Sequence, residues 1–362
     1  MLRHLLLIAI FVTGACAPRG DLVLVPNPEA ETRAIFIGST RAEDPESGES
    51  FGVERSESLR LARFEVAIPP ERGLGELRYP LKGEKIDPNK EFTVSDGQIY
   101  ETQASFRSDL RKALLRQNGE AIVFVHGYNT NFAEGLYRFA QLSEDFDLPG
   151  VLVHYSWPSR AHVMGYAYDR DSALFARDGF EDLLRELRLS GARKILIVGH
   201  SMGSALTMET LRQLVISGDT ETFSRVSGVV LVSPDIDIDV FRAQAARVGK
   251  LPQPFIVFTS QRDKALGLSA RISGESERLG NLEDVERVAD LRLTLIDTAA
   301  FSIEGGHFNV GDSPALIALL QATGQVAATL EGDQNTRRDL AAGVVISVEN
   351  VTRIILSPIS GG

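Results

Sequence analysis

A β-type run, Lys194-Ile195-Leu196-Ile197-Val198, passes directly into Gly199-His200-Ser201-Met202-Gly203. Apolar residues at helical spacing follow: Leu206, Met208, Leu211, Leu214 and Val215. A chain that changes from strand to helix over so few residues must turn sharply at the middle one. Side chains two places to either side would collide there, and Gly199 and Gly203 remove them. The turn pushes the Ser201 hydroxyl out at the end of the strand. It also leaves the Met202 amide at a helix N-terminus, where it is suited to receive negative charge.

The same alternation governs most of the chain. Residues 121–125, 150–155, 193–198, 226–232, 254–259 and 291–296 read as strands, the final one as the last strand of the sheet. Residues 101–115, 132–146 and 172–189 read as helices, and Asp312-Ser313-Pro314 starts another. Before them, 34–38 and the alternating 59–68 read as antiparallel edge strands. The pattern predicts an α/β fold with a mostly parallel central sheet and helices on both faces. Four units are expected: a signal peptide at 1–15, a tether at 16–32, the α/β domain at 33–324, and a C-terminal extension at 325–362. That extension is either a hairpin packed on the domain or a partner-binding tail.

A serine hydroxyl needs a base to become a nucleophile, and histidine is the usual one. His307 lies in a Gly305-Gly306-His307 loop just beyond 291–296, where paired glycines let the chain aim the ring. A carboxylate must orient that ring. Asp263, just past the strand at 254–259, is the first choice, with Asp235 and then Asp237 behind it. Asp297 is too near His307 in sequence, and Asp239 reads as a helix cap. After strand 121–125 the chain reads His126-Gly127-Tyr128-Asn129. Gly127 permits close approach of the backbone, and the Tyr128 amide is the expected second oxyanion donor beside Met202. Asn129 either adds a donor or shapes this loop, and His126 holds it. Residues 157–170, with Trp157, Met164, Tyr166 and Tyr168, form either a pocket wall or core. Residues 264–290, rich in Gly, Ser and charge, read as a mobile rim rather than an apolar lipid-binding surface.

A net charge of −11 disfavours a nucleic-acid partner. No residues have metal-ligand spacing and no glycine loop suits a phosphate, so neither metal nor cofactor is expected. At the N-terminus, Arg3 and His4 precede an apolar run at 5–12 that is too short to span a bilayer. Thr13-Gly14-Ala15-Cys16 follows and resembles the lipobox of bacterial lipoproteins. Cys16 is the only cysteine, which fits lipid attachment and excludes an internal disulfide. The expectation is an exported lipoprotein of the cell envelope, held by its lipid anchor. Ala17, in place of Asp, points to the periplasmic side of an outer membrane.

Together, His126-Gly127, Gly199-His200-Ser201-Met202-Gly203, Asp263 and His307 resemble the α/β-hydrolase superfamily. Tyr155-Ser156-Trp157-Pro158-Ser159, Tyr168-Asp169-Arg170-Asp171 and Ser39-Thr40-Arg41 resemble a bacterial esterase- and lipase-like family within it, over 33–321. The resemblance implies a chain order of nucleophile, acid, histidine, which only His307 satisfies. Some lipases place the acid where Asp235 stands. The resemblance also implies Ser201-His307-Asp263 acyl chemistry on esters. Peptidase, thioesterase and acyltransferase chemistry use the same design, and an inactive binding lipoprotein on this fold is the rival. Residues 233–253 have room for one short helix, so no large cap domain is expected.

Overall fold

The computed structural model describes residues 19–275, 277–303, 305–322 and 343–357. The signal peptide, Cys16 and residues 325–342 of the extension lie outside the described residues. Near-continuous apolar runs such as Ala121-Ile122-Val123-Phe124-Val125 suit strands buried on both faces, which require a parallel sheet covered by helices.

The strands are β1 (Thr32–Arg41), β2 (Arg55–Ala67), β3 (Thr93–Tyr100), β4 (Glu120–Val125), β5 (Val151–Ser156) and β6 (Lys194–His200). They continue as β7 (Val226–Val232), β8 (Phe255–Thr259), β9 (Leu293–Asp297), β10 (Gly343–Val348) and β11 (Val351–Leu356). Among the described residues they form one sheet in the order β10-β11-β9-β8-β7-β6-β4-β5-β1-β2-β3. From β11 through to β1 every neighbouring pair is parallel. Antiparallel pairs occur only at the two ends.

One face is covered by α1 (Gln103–Arg116), α3 (Tyr166–Ser190), α4 (Met202–Ser217) and α6 (Ile238–Val248), joined through a core containing Leu110, Phe180, Leu206 and Phe241. The other face carries α2 (Phe132–Asp145) and α9 (Pro314–Ala322), packed through Leu136, Phe139 and Leu316. The short helices α5 (Thr220–Phe223), α7 (Lys264–Ile272) and α8 (Asn309–Asp312) complete the set among the described residues.

Two expectations change. β1 is not an edge strand: it pairs parallel with β5 and antiparallel with β2. The edge is β3, whose sequence Thr-Val-Ser-Asp-Gly-Gln-Ile-Tyr lacks a clean alternation. Gly97 lies there because a Cβ would sit 2.7 Å from the Phe64 ring. Nor is β9 the last strand. β10 and β11 form a hairpin, and β11 pairs parallel with β9, secured by Arg353 on Asp297 at 2.8 Å.

Candidate active site

The C-terminal ends of the parallel strands share one end of the sheet, where sites in such folds collect. Ser201 sits there between β6 and α4 with φ of 52° and ψ of −119°. A left-handed φ strains any residue with a Cβ, and this strain marks a tight strand-to-helix turn. Its cause is visible next door. A Cβ on Gly203 would stand 2.3 Å from the His126 carbonyl oxygen and 2.4 Å from that of Val125. One on Gly199 would stand 2.9 Å from Thr207 Oγ1. The Ser201 amide donates to the Val232 carbonyl at 2.9 Å, which ties the turn to β7.

Asp263 is the first choice that meets His307. Its Oδ1 caps α7 by accepting from the Leu266 amide at 3.0 Å. Its Oδ2 accepts from His307 Nδ1 at 2.8 Å. The Asp263 side chain is fully buried, whereas that of His307 is 29% exposed. Donation from Nδ1 leaves Nε2 as the basic nitrogen of the neutral ring. Gly305 and Gly306, with φ of 107° and 76°, bend the chain so that His307 reaches this carboxylate. The His307 ring lies 5.0 Å from that of His200, the residue preceding Ser201.

The second choices go elsewhere. Asp235 accepts from Tyr166 Oη at 2.9 Å and Ser269 Oγ at 2.6 Å, and lies 3.4 Å from Arg278 Nε. Asp237 caps α6 through the amides of Asp239 and Val240, each at 3.0 Å. Asp239 is therefore not the cap; it pairs with Arg287 at 3.2 Å.

The loop after β4 passes over this strand-to-helix elbow at Ser201. A Cβ on Gly127 would lie 2.7 Å from His200 Nδ1 and 3.0 Å from Ser201 Cβ. Among the described backbone hydrogen bonds, the amides of Met202 and Tyr128 donate to no protein acceptor. Asn129, at φ of 56°, shapes the loop: its amide donates to Asp169 and its Oδ1 accepts from Arg19 at 3.1 Å. The His126 ring stacks on Trp157 at 4.9 Å, and Trp157 Nε1 donates to the His126 carbonyl at 2.7 Å. Trp157 is thus core, while Tyr166 lines a pocket.

Two residues that matter here had a motif but no assigned role. Arg41 is completely buried. It donates to Ser156 Oγ at 2.9 Å and to the carbonyls of Gly52 at 2.9 Å, Ser159 at 3.2 Å and Thr130 at 2.8 Å. Burial lowers its pKa to about 10. Asp169 accepts from the Asn129 amide at 3.1 Å, Ser159 Oγ at 2.6 Å and the Arg160 amide at 2.6 Å. Burial raises its pKa. These two side chains hold the backbone just after Tyr128, at Asn129 and Thr130, against the 156–160 segment.

Burial disfavours the charged form of three nearby histidines. It drives His126 and His200 well below their ordinary value, and His154 down to about 3. The Arg41 charge adds to the effect at His126 and His154. Among the described residues, His307 is the one histidine ring that meets a carboxylate. Beside Met202 lies a cavity of about 200 Å³ whose lining includes Tyr166, Leu206, Ile236, Gln244 and Arg278. Among the described residues, no group of three or more His, Cys, Asp and Glu is placed to hold a metal ion.

A family model described as an alpha/beta hydrolase of unknown function, DUF900, matches residues 102–304. The uncharacterized protein alr1448 of Nostoc sp. (strain PCC 7120) is 27% identical over 151 residues, covering 34% of this chain and 38% of that protein. The chain thus spans well under half the length of that curated relative. Among solved structures, Aspergillus fumigatus lipase B is 14% identical with a TM-score of 0.38, over 61% of this chain and 55% of that one. A hyperthermophilic esterase from the archaeon Pyrobaculum calidifontis is 15% identical with a TM-score of 0.36, over 83% and 85%. The family match covers more than half of the chain, including the loop after β4, the turn at Ser201 and Asp263, and ends three residues before His307. The sheet order agrees with that description, and this chain belongs to the DUF900 family of α/β hydrolases.

Proposed function

We propose that this hydrolase cleaves carboxylic esters through an acyl-enzyme on Ser201. The observation that carries the reading is the 2.8 Å bond from His307 Nδ1 to the buried Asp263, beside a serine held at left-handed φ. His307 Nε2 takes the hydroxyl proton as Ser201 Oγ adds to the ester carbonyl. The oxyanion that forms accepts hydrogen bonds from the Met202 and Tyr128 amides. As the C–O bond breaks, His307 returns the proton to the leaving alkoxide. Water then adds to the acyl-enzyme with His307 again as base, releasing the acid and restoring Ser201. Asp263 stabilises the imidazolium throughout. Arg41 and Asp169 act as positioning residues for the loop that carries Tyr128.

We also propose export and acylation at Cys16, with the cell envelope as the location; of the expected tether, the part from Arg19 on is held to the domain, Arg19 by Asn129 and Glu134 and Val25 by Val94. The support is the short apolar run ahead of the chain's only cysteine.

A p-nitrophenyl ester series from acetate to palmitate, given to the full chain and to Ser201→Ala, tests the activity. Hydrolysis that requires Ser201 is expected, and its chain-length optimum sizes the pocket. No Ser201-dependent turnover on any member would remove the esterase reading in favour of amide, thioester or transfer chemistry, or of a binding role.

A further inference from the structure

We propose that the end of the sheet carrying Ser201 docks on a bilayer containing anionic phospholipid, with α7 lying in the headgroup layer. The substrate is then an acyl ester resident in that bilayer. The substrate class rests on the reading of Ser201 as nucleophile; the docking does not.

The first observation is α7 itself. It begins at the residue after Asp263 and buries Leu266, Ser269 and Ala270 against the protein. Leu268 and Ile272, one helical turn apart, are 59% and 60% exposed. The sequence had suggested a mobile rim without an apolar surface, because Gly267, Ser269 and the charges dilute the pattern. Folded as a helix, the segment buries Leu266 and Ala270 and brings Leu268 and Ile272 together on its exposed side.

The second observation is charge. Arg262, Lys264 and Arg271 are exposed around these side chains. Among the described residues, none of the three pairs with a carboxylate. In a chain of net charge −11, this segment offers cations beside apolar side chains. That combination suits an anionic interface, while the rest of the acidic surface is repelled from it.

The third is that the surface continues around the site. Val163 and Met164, between β5 and α3, are 50% and 82% exposed. Ile303, on the way to His307, is also exposed. All three follow C-terminal ends of parallel strands, as Ser201 does. Two contacts join the parts: Ser269 Oγ on α7 lies 2.7 Å from Tyr166 Oη, and Tyr128 Oη donates to the Val163 carbonyl.

The fourth is where the tether arrives. Arg19 is fastened to the oxyanion loop, donating to the Asn129 carbonyl at 2.9 Å and to Glu134. Cys16 is three residues earlier, so a lipid there attaches within about 11 Å of Arg19. An acyl anchor with so short a reach holds this end of the molecule, not the opposite end, against the membrane. Multiple acyl chains there anchor the chain stably, and the basic, apolar contact orients this end on the bilayer.

The test uses the full lipidated chain in phosphatidylglycerol-containing vesicles. An environment-sensitive fluorophore is placed on Leu268→Cys, or on Leu115→Cys at the end of α1, remote from the site. The label at 268 is expected to shift to the blue and to be quenched by spin-labelled lipid, while the label at 115 stays water-like. Equal quenching at both positions, or none at 268, overturns the docking. Separately, Leu268→Asp with Ile272→Asp is expected to lower hydrolysis of a vesicle-borne ester about tenfold, with soluble p-nitrophenyl acetate turnover unchanged. Unchanged hydrolysis of the vesicle-borne ester, or equal loss on both esters, contradicts the proposal. If the unaltered chain hydrolyses neither ester, the esterase reading fails, and the fluorophore depths still decide the docking.

Discussion

Asp263→Asn is expected to lower kcat for ester hydrolysis about 10⁴-fold with little change in thermal stability. The two carboxylate oxygens have separate tasks. Oδ1 caps α7 at 3.0 Å, and Oδ2 takes the His307 Nδ1 proton at 2.8 Å. An asparagine carbonyl caps a helix as well as a carboxylate does, so α7 survives. The remaining amide is a donor where an acceptor is needed. It forces the His307 proton onto Nε2, and the ring can no longer accept from Ser201. Asp235→Asn makes the contrast. It keeps an acceptor for only one of Tyr166 and Ser269 and removes the charge facing buried Arg278, so the cost falls on stability while kcat stays within a few-fold. Steady-state kinetics with thermal melts on both variants separates the two carboxylates. Loss of turnover in Asp235→Asn with retention in Asp263→Asn would move the acid.

Gly203→Ala carries the second large effect. The added methyl would meet two backbone oxygens, those of His126 at 2.3 Å and Val125 at 2.4 Å. Neither is a side chain that swings aside. Relief requires the end of β4 and the loop carrying Tyr128 to move away from the elbow. A loss of about 3 kcal/mol in unfolding free energy is expected from overpacking. A kcat loss of about 10²-fold or more follows, because the oxyanion donors shift relative to Ser201. Gly267→Ala is the control: nothing lies within 4 Å of its Cβ, and alanine is favoured inside a helix. Chemical denaturation and kinetics on the two variants check this. A Gly203→Ala protein with unaltered stability and turnover would contradict the turn as described.

These effects arise at features of differing legibility. The elbow could be read from sequence because its strand, glycines and helix are contiguous. Strands β4 to β9 were legible for the same reason: each is a local apolar run of the right length. β3 was not, since Ser95, Asp96 and Gly97 interrupt it and only pairing with β2 makes it a strand. The position of β11 is likewise a long-range fact, set by pairing with β9. Asp263 and Asp235 both follow strand ends, and sequence ranks them without separating them. The choice depends on the direction of α7 and on the Gly305-Gly306 bend. Arg41 and Asp169 stood in recognisable segments, yet their role requires segments distant in sequence to converge on them. A buried arginine that serves carbonyls rather than a carboxylate has no local signature.

The central claim is a covalent intermediate on Ser201. The most direct measurement is acid quenching of the full chain during turnover of a p-nitrophenyl ester, followed by digestion and mass spectrometry. The account predicts the acyl mass on the peptide containing Ser201, formed together with a burst of nitrophenol and absent from Ser201→Ala. Turnover with an unmodified Ser201 peptide and no burst, or an acyl adduct that persists in Ser201→Ala, would contradict it.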